Sequence, residues 1–380
     1  MTRWYRWTAI AAVVVVLAVG VRTCQQLRAS RAVLDESPES VSEAGLTLRN
    51  ITLEQPDESG GLLWRVKAKS VTYSPDQQIA DIRDIEGEFF DGDVVIYEVI
   101  ADRGEIIDNG RAIFLEGNIE AFAVEDDLTL KGQSLAWRPD EDQLEVIGGM
   151  DAVHPQLVAA ADTALLYNQE KRLELIEGVT ANTVAEPWLT LNSEAVTWDL
   201  EENVLTTQTP LAVEQHPAEE DDTVIGQLNG QQGIFRLDDQ EIELVGAVQL
   251  SRTEPPLQLN SETLVWQLEQ QLIATDQPLE ILETQRQIVV TANQGRLDLE
   301  QQIVTLTEAV QLTSDQNQAQ LAADRITWSL DTDDIEASGN VAYRQADPDT
   351  RLTGGRAVGN LTRQTVVVTG NEVITTIVPE

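Results

Sequence analysis

The chain has 380 residues, of which 42% are apolar and only 5% aromatic, and its 65 acidic and 25 basic residues give a formal net charge of −40. A charge of this size and sign disfavours nucleic acid, or any other anionic surface, as a partner. The apolar fraction is sufficient for a core, and no long helical pattern is present. Composition therefore favours a soluble, β-rich chain.

The first 34 residues differ from the rest because they contain five arginines and no acid, which leaves −45 on the remainder. An uncharged run extends from Trp7 to Val21. Flanking aromatic and arginine side chains can extend this run to the membrane interfaces. Residues 1–34 are therefore predicted to form an uncleaved membrane anchor, with a cleaved signal peptide processed near residues 18–20 as the alternative.

Cys24 is the only cysteine of the chain. It excludes an internal disulfide, and the absence of other thiols suits an oxidising compartment. Lipid attachment at Cys24 is disfavoured because Arg22 falls inside the segment that a lipoprotein signal would require.

A repeat of about 31 residues runs from residue 46 to the end of the chain. Each unit has an aromatic or apolar marker, and these are Tyr73, Ile106, Trp137, Tyr167, Trp198, Phe235, Trp266, Leu297 and Trp328. A glycine or proline follows at a regular distance, at Gly87, Gly117, Gly148, Gly178, Pro210, Gly246, Pro278, Gly339 and Gly370, while Glu308 occupies that place in one unit. The sequence therefore predicts ten units in one array.

Each unit is predicted to form a strand, an acidic turn and a second strand that is kinked at the glycine or proline. The turns, such as 201–203 and 331–333, are predicted to be solvated reversals. Calcium binding is disfavoured because the stretch that begins at Asp331 lacks the central glycine and closing glutamate of an EF-hand loop.

The tryptophans Trp137, Trp198, Trp266 and Trp328 occupy every second unit. If successive units alternate between two facing sheets, the tryptophans collect on one wall and the smaller markers on the other. Such an array is a long sandwich or jelly roll with a continuous apolar seam. Two interpretations of the seam remain open on the residues alone: a packed core, or a partly open groove that takes a lipid.

The spacing of the repeat is interrupted once, at a polar insertion around His216 that includes four consecutive acids at 219–222. It divides the array into residues 46–215 and 224–380 without loss of phase. These parts are predicted to be one continuous structure, with two separate domains as the alternative.

Catalytic chemistry is missing from the sequence. There is no phosphate-binding Gly-x-x-x-x-Gly-Lys, no Gly-x-Ser-x-Gly and no His-Glu-x-x-His. The two histidines, His154 and His216, each precede a proline and have no cysteine or second histidine near them in sequence. The chain is therefore predicted not to be an enzyme, with no catalytic residue, no metal site and no cofactor.

The stretch "LTLRNITLEQPDESGGLLWRVKAKSVTYSPDQQIADIRDIEGEFF" after a short anchor resembles the LptC-type component of lipopolysaccharide export. Later units, "LAADRITWSLDTDDIEASGNV" most clearly, resemble the related OstA/LptA-type β-jelly-roll repeat. The likeness covers essentially the whole chain, although the chain is about twice as long as the familiar members with one jelly roll. Whether its second half replaces a separate bridge protein is open.

The resemblance implies an all-β fold: a long twisted β-jelly roll of about ten 31-residue strand-turn-strand units with an apolar interior groove, preceded by one N-terminal transmembrane helix. It implies an inner-membrane, single-pass protein with its β-domain in the periplasm of a Gram-negative-type bacterium. The implied partners are lipopolysaccharide or a related glycolipid, the permease subunits of an inner-membrane ABC transporter, and a periplasmic bridge protein or second copy. An anchored β-scaffold that binds proteins and no lipid is the alternative.

Alternation predicts which side chains face the groove. The candidates are Val71, Tyr73, Ile106, Leu135, Trp137, Tyr167, Val196, Trp198, Phe235, Leu264, Trp266, Leu297, Ile326 and Trp328. At about 4.8 Å per strand and at least one strand per wall, ten units would extend the groove roughly 50 Å. The charge of the β-region should repel phosphorylated head groups, so either they stay outside the groove with bridging divalent cations or the natural glycolipid carries few phosphates.

The last unit is apolar and carries few charges. Its partner-edge candidates are Val366, Val367, Val368, Ile374 and Ile377. An exposed strand of this kind offers unpaired N–H and C=O groups to another strand. It is predicted to continue the groove into the next protein by strand pairing; the alternative is that Pro379 and fraying blunt the edge.

Overall fold

The computed structural model describes residues 46–56, 61–92, 94–219, 221–316, 318–346, 349–370 and 373–377. The predicted anchor, residues 1–34, lies outside the described residues. Within the described ranges, no helix is both long enough and apolar enough to cross a bilayer.

Ten long strands form the first part of the fold, each between 10 and 14 residues in length. They are β1 Thr47–Pro56, β2 Leu62–Tyr73, β3 Ile79–Asp91, β4 Val94–Ile107, β5 Ala112–Ala123, β6 Leu128–Arg138, β7 Gln143–Val153, β8 Leu157–Tyr167, β9 Arg172–Thr183 and β10 Trp188–Asp199. Single 3-10 turns lie at Asp108–Gly110 and Pro139–Glu141. Alternating buried and exposed residues mark these strands as sheet with one face in the core.

Sixteen further strands follow, many of them short. They are β11 Val204–Thr207, β12 Leu211–His216, β13 Gly226–Gly230, β14 Gln232–Arg236, β15 Glu241–Arg252, β16 Leu257–Gln267, β17 Leu272–Thr275, β18 Leu279–Glu283, β19 Ile288–Ala292, β20 Gln294–Asp298, β21 Ile303–Ser314, β22 Ala319–Ser329, β23 Asp334–Gln345, β24 Thr350–Asn360, β25 Thr365–Thr369 and β26 Ile374–Ile377. The short strands are halves of long ones, because β11 and β12 both pair with β10, and β17 and β18 both pair with β16.

All strand pairings are antiparallel, and each long strand pairs with the one before it and the one after it. Counting each broken strand once, the described residues form 21 long strands in a single meander. β12 pairs with β13 across the polar insertion, so the ladder continues through it. The predicted all-β fold is confirmed, and one antiparallel sheet of this kind is consistent with a jelly roll.

The long strands bend near their middles at the predicted glycines and prolines. Gly117, Gly148 and Gly339 have φ angles of 79°, 93° and 77°, in the left-handed region that glycine enters without steric cost. Where Pro210 or Pro278 stands, the strand is instead broken into two halves. Proline has no N–H to donate to the ladder, so a break is its natural consequence.

Two bends differ from the prediction. In the unit without glycine, Glu308 and Ala309 take the left-handed conformation themselves, with φ angles of 66° and 55°. In β3 the bend does not occur at Gly87 but three residues earlier, at Asp84, with a φ angle of 52°. Aspartate is among the residues that tolerate this conformation best, so the glycine is not needed there.

Each proline break is accompanied by buried hydroxyl groups. Ser261 Oγ lies 3.1 Å from Thr275 Oγ1 and donates to Pro278 O over 3.1 Å, and Thr275 Oγ1 accepts the N–H of Gln277. Ser193, Thr207 and Pro210 repeat the arrangement in the earlier break. The hydroxyls therefore satisfy backbone groups that the broken ladder leaves without a partner.

The bend folds each long strand over, so that its two halves lie in two facing walls. Phe89, near the end of β3, stacks on Trp137, near the end of β6, with ring centroids 4.4 Å apart. Because β3 and β6 run in opposite directions, these residues lie at opposite edges of the sheet. The two strands are not adjacent, so only facing walls can bring the rings together. The core between the walls is one continuous hydrophobic cluster.

Candidate functional site

A single row of inward-facing residues crosses almost the entire meander. Each residue of the row is the direct cross-strand partner of the next. This seam row consists of Tyr73, Ala80, Ile106, Ile113, Trp137, Leu144, Leu166, Leu173, Trp198, Leu205, Phe235, Ile242, Trp266, Ile273, Leu297, Val304, Trp328, Ile335, Gly359 and Val366. Its register is kept over twenty long strands, so it forms one unbroken apolar line.

The seam row is packed along most of its length. From Ala80 to Ile335 every member is buried, and none is more than 7% exposed. Tyr73 at one end, and Gly359 and Val366 at the other, are only partly buried. The seam is therefore closed in its middle and accessible only near its two ends.

A second inward row lies two residues before the seam row on the same strands. It holds the remaining aliphatic groove candidates, Val71, Leu135, Val196, Leu264 and Ile326. Four of them are at most 2% exposed, and Val196 is partly buried. The structure thus brings all the predicted groove residues except Tyr167 onto two adjacent rows of one face.

Tyr167 lies on the outer face of the sheet. Its cross-strand partners are Gln143 and Arg172, and the Arg172 guanidinium lies 4.2 Å from the centre of its ring. The place that alternation assigned to Tyr167 in the seam row belongs to Leu166, which is 2% exposed. Leu165, Leu166 and Tyr167 are consecutive apolar residues, so no alternation indicates which of them faces inward.

The predicted separation of tryptophans from smaller markers onto two walls is wrong. Trp198 and Phe235 belong to the same row, joined through Leu205, and Trp266 and Leu297 are joined through Ile273. Every unit consists of two long strands and so contributes two half-strands to each wall, and all the markers fall on the same wall. The tryptophans of the seam row therefore recur on every fourth long strand.

Sequence reasoning also missed half of the seam row. Its members on the strands that follow each acidic turn include Ile113, Leu144, Ile242, Ile273 and Val304, all at most 2% exposed. They are aliphatic and carry no aromatic marker. Alternation counted outward from each turn would have found them.

The walls end in two lines of turns, which we call rims. The first rim consists of the turns next to the seam row, such as 168–171 and 330–333. The second rim consists of the turns at the other ends of the strands, such as 124–127 and 284–287. Tyr97 Oη donates to Asn168 Oδ1 over 3.1 Å, and Gln156 Nε2 donates to Leu237 O over 3.2 Å. These hydrogen bonds join the two rims over the seam.

Two ion pairs also connect the rims. Lys171 Nζ of the first rim lies 2.7 Å from Glu125 Oε2 of the second, and Arg286 Nη2 of the second rim lies 2.6 Å from Asp333 Oδ2 of the first. The contacts join residues several strands apart along the meander, as expected for two walls of a twisted sheet. The rims are therefore held together by polar groups, while the seam beneath them is apolar.

The ion pair at Lys171 changes the protonation of its neighbours. The hydrogen bond from Lys171 lowers the pKa of Glu125. Burial raises the pKa of Asp126, a second carboxylate 3.7 Å from the same ammonium group. Burial alone would lower the pKa of Lys171, but its hydrogen bond to Glu125 and the nearby carboxylates raise it overall. The rim contact is thus charged at neutral pH.

A cavity of about 70 Å³ lies at the carboxyl-terminal end of the seam. Ile288, Leu312 and Tyr343 line it on one side, and Gly359 and Val366 line it on the other. It lies where burial of the seam row begins to fall, so this end of the apolar interior can be reached from outside.

The predicted partner edge lies beside this cavity. Val366 and Val368 are partly buried and pack against the core, whereas Val367 is 56% exposed. Ile374 and Ile377 are the cross-strand partners of Thr353 and Thr350. Among the described residues, β25 and β26 pair only with β24, so the opposite edges of both strands are unpaired.

A protein-family model described as "Lipopolysaccharide-assembly, LptC-related" matches residues 11–145 and 281–372, which together make up more than half of the chain. No curated protein matches the chain.

Proposed function

Because the chain belongs to the LptC-related family of lipopolysaccharide-assembly proteins, we propose that it is a membrane-anchored periplasmic component of lipopolysaccharide transport. Its β-domain shields the acyl chains of the glycolipid and passes the molecule from an inner-membrane ABC transporter toward the outer membrane. Amino-terminal sequencing of the membrane-bound protein tests the anchor: a mature chain that begins at Val21 would make it a secreted protein instead.

The observation that carries this proposal is the continuous seam row. An acyl chain in water loses about 0.8 kcal/mol of favourable burial for each exposed CH₂ group, so it cannot cross an aqueous space without a cover. A line of apolar side chains in unbroken register lets the chain move in small steps with little loss of burial at any point. The seam gives no direction to the movement, so ATP hydrolysis in the transporter must supply it.

Acyl chains can enter the seam only if the rims part. The contacts between the rims are hydrogen bonds and ion pairs at the protein surface, which typically contribute about 1 kcal/mol or less each. A few such contacts are weak compared with the burial of a whole acyl chain, so a lipid can displace them. We propose that the rims open locally around the lipid and close behind it.

The path is longer than the sequence suggested. Each unit contributes two strands to each wall, and at about 4.8 Å per strand the 21 long strands extend roughly 95 Å. This length supports the idea that the chain covers part of the distance that a separate bridge protein covers in shorter systems.

The acidic charge limits how the head group travels. With a formal charge of −40, the chain repels phosphate groups, so we propose that the phosphorylated head stays outside the rims and is bridged by divalent cations. Binding of phosphorylated and dephosphorylated lipid A, each with and without magnesium, tests this. Equal binding in all four cases would contradict it.

Site-specific photo-crosslinking tests the lipid path itself. A crosslinker in place of Leu264 or Trp266 on the inward rows should capture glycolipid in cells. The same group in place of Thr197, on the outer face, or of exposed Glu262 should not, because these positions lie away from the seam. Equal capture at both sets would refute the assignment of the seam as the path.

The carboxyl-terminal edge is the proposed junction with a bridge protein or second copy. Its backbone groups can pair with a strand of the next protein and so extend the seam across the junction. Prolines in place of Val367 and Ile374 should abolish partner capture and leave lipid binding intact. Capture that survives both prolines would place the junction elsewhere.

A protein-binding scaffold is the second candidate function, and the close packing of the seam row favours it. A scaffold needs a stable core and no route for a ligand into it. Mass spectrometry of the natively purified full chain separates the two functions. Co-purified glycolipid supports transport, and a protein that carries no lipid and extracts none from membranes supports the scaffold.

A further inference from the structure

The seam row contains hydrogen-bond donors without a protein acceptor. The indole Nε1–H groups of Trp198, Trp266 and Trp328 are buried, and no acceptor in the described part of the chain lies within hydrogen-bond distance of any of them. The three side chains are at most 3% exposed. A buried donor without an acceptor is costly, and native interiors keep few of them.

The three donors recur at equivalent places. They lie in one row on every fourth long strand, which corresponds to about 19 Å between neighbours at the usual strand spacing. A single orphaned donor could be an accident of packing. Three at the same position of a repeated unit are a property of the row.

Several other side chains of the interior do find hydrogen-bond partners. Trp64, outside the seam row, donates its Nε1–H to Gly110 O over 3.3 Å. At the proline breaks, Ser261 and Thr275 supply hydroxyls for backbone groups. His154 meets the ring of Trp198 edge-on, with centroids 5.1 Å apart, but it accepts no hydrogen bond from the indole. Trp198, Trp266 and Trp328 therefore differ from Trp64 in having no acceptor.

We propose that these three indoles, the indole stations, donate hydrogen bonds to the carbonyl oxygens of ester- or amide-linked acyl chains in the seam. This inference rests on the proposed transport function and specifies which lipids the seam prefers. An apolar wall cannot distinguish an acyl chain from an alkyl chain of equal length. A wall with an unsatisfied donor gains a hydrogen bond only from a ligand that brings an acceptor.

The spacing of the stations suggests how the lipid pauses. Between the stations the row consists of aliphatic side chains and Phe235, none of which can donate a hydrogen bond to a carbonyl oxygen. An acylated lipid is therefore held most tightly when its carbonyl group lies beside an indole. Movement along the seam becomes a series of steps of about 19 Å between equivalent resting positions.

The first test follows the indole N–H groups of the three tryptophans by NMR. The full chain, labelled with ¹⁵N in its tryptophans, is held in dodecyl maltoside, a detergent without carbonyl oxygens. Addition of monomyristoylglycerol should move the indole proton signals of Trp198, Trp266 and Trp328 downfield, as hydrogen-bonded N–H protons move. Its ether analogue, tetradecylglycerol, has the same chain and head group without the carbonyl oxygen and should leave them near their starting positions.

The second test measures affinity. A variant with Trp198→Phe, Trp266→Phe and Trp328→Phe keeps aromatic rings in the row and removes the donors. It should bind radiolabelled monomyristoylglycerol about tenfold more weakly than the wild type, while its affinity for tetradecylglycerol stays nearly the same. Trp188→Phe, at the start of β10 and outside the seam row, is the matched control and should keep the preference for the ester.

The outcomes separate this inference from the proposed function. A wild-type protein that binds both lipids equally, or a triple variant that keeps the ester preference, would overturn the indole stations and leave the lipid path standing. A wild type that binds neither lipid and purifies without glycolipid would overturn both. If the triple variant does not fold, the wild-type spectra with ester and ether lipids still decide the matter.

Discussion

Residues 62–199 and residues 204–298 make the same bend in two different ways. In the first region every strand from β2 to β10 passes through the bend unbroken, and the best-defined bends use glycine in the left-handed conformation, as at Gly117 and Gly148. In the second region four of the six long strands are broken, at Pro210 and Pro278 and in the partners of these breaks. The difference shows that the fold needs a bend at this place and not a particular residue.

The residues beside a proline break differ from those beside a glycine bend. A proline break frees backbone groups, and Ser261 and Thr275 satisfy them. In the equivalent glycine unit the ladder continues, and the corresponding residues are Ala323 and Ala337, both buried. Ser and Thr therefore accompany Pro at both breaks, a pairing that can be read from the sequence.

The largest effect is expected where a glycine bend is also crowded. A Cβ atom at Gly339 would lie 2.4 Å from Asp324 Oδ2 and 2.9 Å from Asp324 Cβ. Gly339→Ala should therefore cost about 3 kcal/mol of unfolding free energy, from backbone strain and from this clash. Urea denaturation measures it.

Gly149→Ala is the matched control for this substitution. Its φ angle of 78° is almost the same as the 77° of Gly339, but no atom lies within 4 Å of the added Cβ. It should cost only the strain, about 1 kcal/mol. Equal costs at the two positions would show that Asp324 does not restrict the bend.

The next effect tests the hydroxyls of the proline breaks. Thr275→Val keeps the shape of the side chain and removes the acceptor of the Gln277 N–H, together with the partner of Ser261 Oγ. Thr275 is 5% exposed, so the loss of its two hydrogen bonds should cost about 2 kcal/mol in urea denaturation. Thr327→Val, on the outer side of β22, should stay within about 0.5 kcal/mol of the wild type. A neutral Thr275→Val would mean that the break does not depend on its hydroxyls.

Much of this architecture was predictable from the sequence. Spacing identified the units, and the glycine and proline markers located most of the bends. The spacing of the markers could not show which wall each marker belongs to. Spacing identifies whole units, and each unit contributes strands to both walls. Tyr167 was misassigned because alternation is lost in a run of apolar residues.

The contacts between the rims were beyond sequence reasoning. Lys171 meets Glu125, and Arg286 meets Asp333, because the sheet bends and twists as a whole. No local pattern specifies which turn lies opposite which. The orphaned indoles were hidden for the same reason: a tryptophan in an inward row is visible in the sequence, but whether its N–H finds an acceptor depends on the opposite wall.

A smaller and opposite effect is expected at the unit that has no glycine. Glu308 is exposed and has a φ angle of 66°, which costs an L-residue about 1 kcal/mol. Glu308→Gly should therefore stabilise the protein by up to about 1 kcal/mol, after the greater freedom of glycine in the unfolded chain is subtracted. Glu280→Gly, inside the regular strand β18, should destabilise it by about as much. Destabilisation by both substitutions would contradict the bend at Glu308.

The smallest effect tests whether the two regions unfold together. His154 and Gln156 belong to a turn of the first region, and Gln156 Nε2 donates to Leu237 O in the second. The His154 Nδ1 atom accepts the N–H of Gln156 over 3.3 Å, which requires a neutral imidazole nitrogen. Burial lowers the pKa of His154, although Asp127, Asp238 and Asp126 act in the opposite direction.

A histidine whose pKa is lower in the folded state binds a proton more readily when the chain unfolds. Stability should therefore fall as the pH is lowered from about 7.5 to 6, through the ordinary histidine pKa of about 6.5, and the fall should be reduced in His154→Gln. Because the side chain is only partly buried, the change is expected to be small and is best followed as a shift of the thermal midpoint. If the two regions form one cooperative unit, the whole transition moves with pH, because protonation at this junction weakens both. A transition that splits into a pH-dependent step and a pH-independent step would show instead that the glycine-bent and proline-broken regions unfold separately.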